Sequence, residues 1–382
     1  MGDEDFPRLL PASARERLAE VRSLAAEQLA PIAAAGEPGR INRPLLEALG
    51  ERGILPEIFP EELGGSGPPL ASATTLCVLR EGLAGGCTEA ETALALQGLG
   101  AYPILQSGSP ATKERWIPPV ARGAAVAAFA LTEPGSGTDA AAVELRAEKV
   151  PGGYRLSGRK KWISNAPDAD VYTVFARTGP APGAGGITAF ALSGDAGNVA
   201  GEPLHLLAEH AIGTLELDGA FVPDEDVLGD VGSGFAVAMR TLDLFRPSVG
   251  AFAVGMAQAA LDAAVAHAGE RTSFGKPLRE FQAISHQLAE CAARTKAARL
   301  LVYEAAATYD SGERVTKAAA IAKLFATETA QFVIDAALQI HGAQGLEQGH
   351  LLEHLYRNVR ATRIYEGTSE IQREIIAREL YR

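Results

Sequence analysis

Cysteine, methionine and aromatic residues are scarce in this 382-residue sequence. It has three cysteines and three methionines, and 6% of its residues are aromatic. The three cysteines (Cys77, Cys87 and Cys291) are odd in number and form no C-x-x-C pair, which excludes a disulfide scaffold and favours reduced thiols in a cytoplasmic protein. Basic residues are also in the minority, since 35 Lys and Arg stand against 47 Asp and Glu and leave a net charge of −12. Such a chain is a poor nucleic-acid binder, because phosphate backbones are bound through Lys and Arg.

Uninterrupted apolar runs of membrane-spanning length are lacking as well. The longest apolar stretch, residues 248–266, is broken by Gln258 and Asp262, so we expect a buried core helix and no membrane partner. The first residues, MGDEDFPR, carry no apolar signal region, and no secretory leader is expected. With 47% hydrophobic and 21% charged residues, the composition is that of a soluble globular protein of two or three domains.

The spacing of apolar residues predicts helices, then strands, then helices. Helical spacing in the first third includes a segment that begins near Ser13 and ends at Pro31. Short apolar or alternating runs follow between residues 126 and 222, with Pro-Gly-Gly at 151–153 as a hairpin turn. Long Ala-rich helical patterns then return, at 233–268, 279–308 and 314–341, with a last helix from about 368. The fold class is therefore α+β and mostly helical, with an N-terminal helical domain (1–124), a middle antiparallel β-barrel or sandwich domain (125–232) and a C-terminal four-helix bundle (233–382).

A glycine-rich turn, Gly135 to Ala140, follows one of the predicted strands and fits G-x-G-x-x-A. A dinucleotide-binding Rossmann unit would need a helix next and an acidic residue about 20 positions on. Pro151 and Gly152 end the segment too early, and the region near 155–160 is basic. A surface turn and a phosphate-binding loop, in which backbone N–H groups meet an anion, both remain open.

Two further patterns have modest specificity. His350 to His354 matches the H-x-x-E-H zinc pattern, but no third ligand is identifiable, so an ordinary solvated or interface helix is the better interpretation. The basic run Arg159-Lys160-Lys161 is interpreted as a solvated turn and not as a binding patch.

Six segments, in order along nearly the whole chain, resemble the signatures of the acyl-CoA dehydrogenase family. They are ELGG at 62–65, LTEPGSGTD at 131–139, GRKKWISNAPDAD at 158–170, ERTSFGKPLREFQ at 270–282, QIHGAQG at 339–345 and IYEGTSEIQ at 364–372. The family's order of a helical, a β and a helical domain agrees with the order predicted above from periodicity. The resemblance implies a flavoenzyme that binds FAD.

The resemblance also assigns residues to the cofactor. Along the flavin ring it places Phe129, Leu131, Thr132, Trp162 and Ser164, and Thr368 close to the FAD. Gly137 and Thr138 become donors to the pyrophosphate, which favours the phosphate-binding interpretation of the glycine turn. The positions implied to hold the FAD of a neighbouring subunit are Arg271, Phe274, Gln282, Gln339 and Gly342, so a homo-oligomer, a tetramer or dimer, is implied.

Glu366 matches the family's catalytic base. Removing the weakly acidic α-hydrogen of a thioester requires a positioned carboxylate, and burial beside an apolar acyl chain should raise its pKa. Some members of the family carry the base near position 245 instead, and Phe245 stands there in this sequence, so the resemblance implies Glu366 without that rival. The resemblance places Thr138, Asp243, Arg246 and Tyr365 at the acyl-CoA substrate.

The implied function is oxidation of an acyl-CoA to a trans-2-enoyl-CoA, with electrons passed to an electron-transferring flavoprotein. Three departures bear on the substrate: LAEHAIGT at 207–214 lacks the family's G-x-R-x-S, Asn358 stands where Asp is usual, and Ala343 replaces a glycine. One alternative is a biosynthetic dehydrogenase of an unusual acyl-CoA or acyl-carrier-protein substrate. Another, of a different class, is a non-catalytic flavin-binding oligomer.

Overall fold

The computed structural model describes residues 10–69, 71–181 and 183–382, so the prediction on the N-terminal MGDEDFPR lies outside the described residues. The elements follow the predicted order of helices, strands and helices, and the fold class is confirmed. The helices are α1 (Ala12–Leu24), α2 (Ala30–Ala34), α3 (Arg43–Glu51), α4 (Ala73–Gly86), α5 (Thr88–Ser107), α6 (Pro110–Ala121), α7 (Gly234–Glu270), α8 (Gln282–Asp310), α9 (Thr316–His341), α10 (Leu351–Thr362) and α11 (Ser369–Leu380). The strands are β1 (Ala127–Ala130), β2 (Arg146–Val150), β3 (Gly153–Ser164), β4 (Val171–Arg177), β5 (Ile187–Ser193), β6 (Val199–Ala200), β7 (Ile212–Pro223), β8 (Val227–Leu228), β9 (Thr272–Ser273) and β10 (Lys276–Pro277).

The described part of the chain packs as two compact units. The helical unit comprises residues 10–30, 72–91 and 243–382, and the sheet unit comprises residues 31–71 and 92–242. The N-terminal helices are shared, since α1 and α4 belong to the first unit and α3 and α6 to the second. The predicted three-domain boundaries at 124 and 232 stay predictions.

The sheet unit is built on strands in the order β6-β7-β3-β2-β4-β5-β8, with β1 beside β4. Most neighbours are antiparallel, as predicted, but β1 and β2 each pair with β4 in parallel. The predicted hairpin at 151–153 joins β2 to β3, and Gly152 supplies the left-handed backbone of its turn with φ of 80°. One face of the sheet encloses a core of apolar side chains, among them Leu156, Val174 and Phe190.

Helix α5 is hydrogen-bonded to the first strand of the sheet, β1, and to the residues just before it. The Gln97 amide donates to the Ala125 carbonyl and accepts from the Ala127 N–H, at 2.6 and 2.7 Å. A Cβ on Gly100 would lie 2.6 Å from the Ala128 nitrogen, so only glycine permits this approach of helix to strand. Strand β1, which leads into the glycine-rich turn, is thereby held on its free side.

One prediction about the helices was wrong in detail. The first helical segment does not end at Pro31, because a π-helical turn over Ala25–Leu29 precedes the proline and α2 continues to Ala34. A π turn shifts the hydrogen-bond pattern locally, which accommodates a residue without an N–H. The interpretation of His350 to His354 as part of a helix agrees with α10, whose buried residues Leu352, Leu355 and Val359 show helical spacing.

Helix α7 is long and apolar enough to cross a membrane by composition alone, but 78% of its most apolar window is buried inside the protein. The core-helix interpretation of residues 248–266 accounts for this segment. Its inward residues include Val249, Phe252 and Met256.

The helical unit contains a buried polar network. The Glu81 carboxylate on α4 accepts from the Arg299 guanidinium at 2.7 Å and from the Tyr303 hydroxyl at 2.9 Å, both on α8. Arg299 also donates to the Gln258 side chain of α7 at 2.9 Å. Helices α4, α7 and α8 are thus joined through buried charged groups that satisfy each other's hydrogen bonds.

Replacing Arg299 with leucine should lower the free energy of unfolding by about 3–5 kcal/mol, because the Glu81 carboxylate would stay buried without its cation. Urea titration followed by circular dichroism measures the change. The matched control is Arg373→Leu, whose exposed pair with Glu370 spans 3.7 Å and should contribute about 1 kcal/mol or less. Equal midpoints for the two variants would show that the network does not stabilise the unit.

Candidate functional site

The flavin segments predicted in the middle of the chain lie next to each other in the sheet unit. The Lys161 N–H of β3 donates to the Thr132 carbonyl at 3.1 Å, which aligns LTEPGSGTD with GRKKWISN. Leu131 is buried, and the half-buried Phe129 ring lies 5.0 Å from that of Phe175. The structure therefore brings together residues that are about 30 positions apart in sequence.

Lys160 is buried beneath the junction of the two flavin segments. Its interpretation as part of a solvated turn was therefore wrong. It lies within β3 with 0% of its surface exposed. Its ammonium donates to the Leu131 carbonyl at 2.9 Å and to the Glu133 carboxylate at 2.8 Å. Burial lowers the pKa of Lys160 to about 8, and the Glu133 carboxylate opposes that shift. The run of three basic residues could not indicate this, because alternation along a strand turns the middle one inward.

The glycine-rich turn projects from this junction. The Glu133 and Ser136 backbones exchange hydrogen bonds at 3.1 Å, and the Ser136 hydroxyl donates to the Asp139 carbonyl at 2.6 Å. Gly137 and Thr138 lie exposed at its tip. A short 3₁₀ turn (Ala140–Ala142) and β2 follow in place of a helix, which excludes the Rossmann unit. An exposed turn of small residues is suited to receiving an anion on its N–H groups.

Trp162 is the bulged residue of β3. The register with β7 shifts between Lys161 and Ile163, and Trp162 has φ of 57° and 45% of its surface exposed. A non-glycine residue in this conformation is uncommon, and at bulges it re-aims a side chain. Two positions on, the Ser164 hydroxyl lies 3.2 Å from Nε2 of His210, whose pKa is lowered by burial.

These features fit a flavin. The exposed Trp162 indole, in a strand that also carries Ser164 and is hydrogen-bonded to the Thr132 carbonyl through Lys161, gives this region an apolar surface and hydroxyl groups suited to a planar heterocycle. The exposed turn tip at Gly137 and Thr138 offers donors to a pyrophosphate. The assignment of each residue to FAD stays a prediction.

The residues predicted to serve a neighbouring subunit form an exposed group in the helical unit. The His267 and His341 rings stack with centroids 4.1 Å apart, which brings the end of α7 next to the end of α9. Phe274 exposes 94% of its surface and has φ of 50°. The other members are all solvent-exposed: Arg271, Gln282, Gln339 and Gly342.

Glu366 lies in the short segment between α10 and α11, on a left-handed turn. Its φ is 52° and that of Gly367 is 93°. The Glu366 carbonyl accepts from Arg246 Nε at 3.3 Å and from Gln372 Nε2 at 3.1 Å. The Gly367 carbonyl accepts from Lys323 Nζ at 2.8 Å and from Gln372 Nε2 at 3.0 Å. Side chains from three helices thus hold two consecutive carbonyl groups.

The carboxyl group of Glu366 is shielded from solvent, and its Oε2 atom has no hydrogen-bond partner among the described residues. Burial raises its pKa, while Arg80, Lys323 and Arg246 act in the opposite direction. A carboxylate whose pKa is raised is a stronger base than an exposed one, and Oε2 leaves a lone pair available for a proton.

The residues predicted to contact substrate gather near Glu366 in part. Arg246 pairs with Asp243 at 3.4 Å, and Tyr365 precedes Glu366 directly. Thr368, which was predicted to lie near the FAD, caps α11 by accepting from the Ile371 N–H at 3.4 Å. Thr138 belongs to the sheet unit. Sequence reasoning missed Arg80, whose buried guanidinium pairs with Glu91 and donates to Ser248 at 2.7 Å, and it missed the donors Lys323 and Gln372.

The two histidines of the H-x-x-E-H pattern make separate contacts. His350 caps α10 through its Nδ1 at 3.1 Å from the Leu352 nitrogen. His354 Nε2 lies 2.6 Å from the Thr88 hydroxyl. The part of the chain that the structure describes holds no group of three side chains suited to a metal ion.

Three family models match most of the chain in consecutive segments. They are the acyl-CoA dehydrogenase N-terminal domain at residues 12–124, the middle domain at 128–219 and the C-terminal domain at 232–381. The chain belongs to the acyl-CoA dehydrogenase family. It is therefore an oxidoreductase of a family of FAD-dependent flavoproteins.

Named relatives and solved structures align over almost the whole chain. The chain is 37% identical to cyclohexane-1-carbonyl-CoA dehydrogenase of Geobacter metallireducens, over 94% of this chain and 95% of that protein. The structure of butyryl-CoA dehydrogenase from Megasphaera elsdenii superimposes with a TM-score of 0.92 at 35% identity, over 99% and 100% of the two chains. A chain from a structure of the electron transferring flavoprotein of Acidaminococcus fermentans has the same TM-score at 34% identity, over 99% and 100%.

Proposed function

We propose that this acyl-CoA dehydrogenase oxidises an acyl-CoA thioester to its trans-2-enoyl-CoA, with Glu366 as the general base. The observation that carries the proposal is the Glu366 carboxyl group, which is shielded, has one unpartnered oxygen and is held on a left-handed turn. A proton acceptor needs a free lone pair and a pKa closer to neutrality than that of an exposed glutamate.

The proposed reaction removes two hydrogens from adjacent carbons of the acyl chain. Glu366 takes the α-proton, the Cα–Cβ bond becomes a double bond, and the β-hydrogen leaves with its electron pair. The chemistry that FAD supplies when bound is acceptance of that hydride. Phe129, Leu131, Thr132, Trp162 and Ser164 are proposed to hold the ring, with Gly137 and Thr138 at the pyrophosphate.

The Glu366 backbone N–H has a further proposed role. As the thioester loses its α-proton, negative charge grows on its carbonyl oxygen, and a backbone N–H aimed at that oxygen stabilises it. Arg246 and Asp243 are proposed to contact the CoA portion, and Tyr365 the acyl group.

We also propose a homo-oligomer and an electron-transferring flavoprotein as electron acceptor. The exposed Phe274 ring supports the first, since a second copy of the chain would cover it. Cofactor contacts from the partner through Arg271, Gln282, Gln339 and Gly342 would follow.

The purified protein should be yellow, with an absorbance band near 450 nm, and anaerobic addition of the right acyl-CoA should bleach it. A panel that varies in chain length, branching and ring content identifies the substrate. Bleaching by a carrier-protein thioester alone would favour the biosynthetic alternative. Yellow protein that no thioester bleaches would favour the non-catalytic flavoprotein, and colourless protein that FAD does not reconstitute would contradict the proposal.

A further inference from the structure

The turn that carries Glu366 is strained and therefore needs support from its surroundings. A left-handed backbone is unfavourable for an L-residue, and such a conformation persists only where neighbouring groups determine it. Glu366 has φ of 52°. The groups that fix it are the donors to its carbonyl and to that of Gly367.

Among these donors, Lys323 is unusual. It lies on α9 among buried alanines, with 0% of its surface exposed. Its ammonium donates to the Gly367 carbonyl at 2.8 Å. A buried ammonium is costly to retain, and a neutral donor such as the neighbouring Gln372 amide, at 3.0 Å from the same oxygen, satisfies a carbonyl equally well.

The charge of Lys323 has a nearby counterpart. Glu366, whose next residue supplies the carbonyl that Lys323 binds, raises the pKa of Lys323, as do Glu328 on α9 and Glu370 on α11, against the lowering effect of burial. The other cations facing Glu366 are Arg80 from α4 and Arg246 from α7. Arg80 is already paired with Glu91 and Arg246 with Asp243, so their charges are largely compensated.

We propose that Lys323 is a positioning residue for Glu366: its ammonium holds the left-handed turn through the Gly367 carbonyl and provides a positive charge beside the carboxylate. The inference rests on the proposed function of Glu366. It assigns two separable effects to one side chain, one on geometry and one on the ionisation of the base.

The two effects predict a particular phenotype for Lys323→Gln, which keeps a donor but loses the charge. With one opposing cation gone, the pKa of Glu366 should rise, so the acidic limb of the flavin-reduction rate should move to higher pH by about 1 unit. Lys323→Met, which loses the donor as well, should in addition lower the plateau rate by about 10²-fold, the typical cost of misplacing a reacting group. Lys323→Arg, which keeps the positive charge, should return the acidic limb to its wild-type pH.

The measurement is anaerobic stopped-flow bleaching between pH 5 and pH 9, on FAD-loaded protein, with the acyl-CoA that reduces wild type. Binding of a non-oxidisable acyl-CoA thioether by calorimetry accompanies it and should change less than about twofold, because Lys323 supports the base and not the CoA contacts. Lys317→Gln, an exposed lysine on the same helix, is the matched control and should behave as wild type.

Several results would overturn the inference. One is a pH–rate profile of flavin reduction in which Lys323→Gln and Lys323→Met keep the wild-type acidic limb and the wild-type plateau rate. Another is failure of both neutral variants to yield FAD-loaded protein, which would assign Lys323 to folding alone. Wild-type protein that no acyl thioester bleaches would refute the proposed function itself, and the role of Lys323 with it.

Discussion

Replacing Glu366 with glutamine is expected to leave the protein yellow and folded, yet to slow bleaching of its flavin by acyl-CoA by about 10³–10⁴-fold. Glutamine preserves the size of the side chain and the carbonyl contacts of the turn, which Arg246 and Gln372 make to the backbone. It removes the lone acceptor for the α-proton, and positioned acid–base catalysis typically contributes up to about 10⁴-fold. Single-turnover stopped-flow spectroscopy measures the loss.

The control for this experiment is Glu374→Gln, an exposed carboxylate on α11 that should bleach at the wild-type rate. Substrate binding to Glu366→Gln should persist, because the change removes no CoA contact. Rapid bleaching of the Glu366 variant would identify another residue as the base and remove the main support for the proposed mechanism.

Replacing Lys160 with methionine is expected to lower the free energy of unfolding by about 3–5 kcal/mol and to abolish stable FAD binding. The Glu133 carboxylate would remain buried with only the N–H groups of Glu144 and Leu145, at 2.6 and 3.0 Å. Removing one partner of a buried ion pair typically costs this much. The Leu131 carbonyl would also lose its donor, and the two flavin segments meet at that point. Urea titration and the ratio of 450 nm to 280 nm absorbance report the two losses.

A double variant tests the cause. Lys160→Met combined with Glu133→Gln leaves no unpaired charge and should recover part of the lost stability, since an unpaired buried ion costs more than a neutral amide. Arg159→Met is the surface control, because its pair with Glu216 is half exposed and should contribute about 1 kcal/mol or less. A single Lys160 variant as stable as the double variant would show that the charge of Glu133 is not the cause.

Local patterns predicted the arrangement of elements well. The strands between residues 126 and 222, the hairpin at 151–153 and the Ala-rich helices follow from periodicity and turn residues that lie close together in sequence. Where a prediction was wrong in detail, a compensating local feature explains it: a π turn over Ala25–Leu29 carries the first helical segment past Pro31. The family resemblance pointed to Glu366 and to the flavin segments, because their residue types recur in short motifs.

The supports of the site were not predictable in the same way. Lys160, Lys323 and Arg80 are basic residues, which composition places at the surface, and each is buried because another element supplies its partner. Lys160 is 27 residues away in sequence from its partner Glu133, and Lys323 is 44 residues away from Gly367, whose carbonyl it binds. The sequence by itself determined the order of helices and strands, the family and the residue proposed as base, because these depend on local spacing and motif. Only the tertiary structure decided which charges are buried and how the Glu366 turn is held, because a charge can leave water only where distant parts of the chain meet to satisfy it.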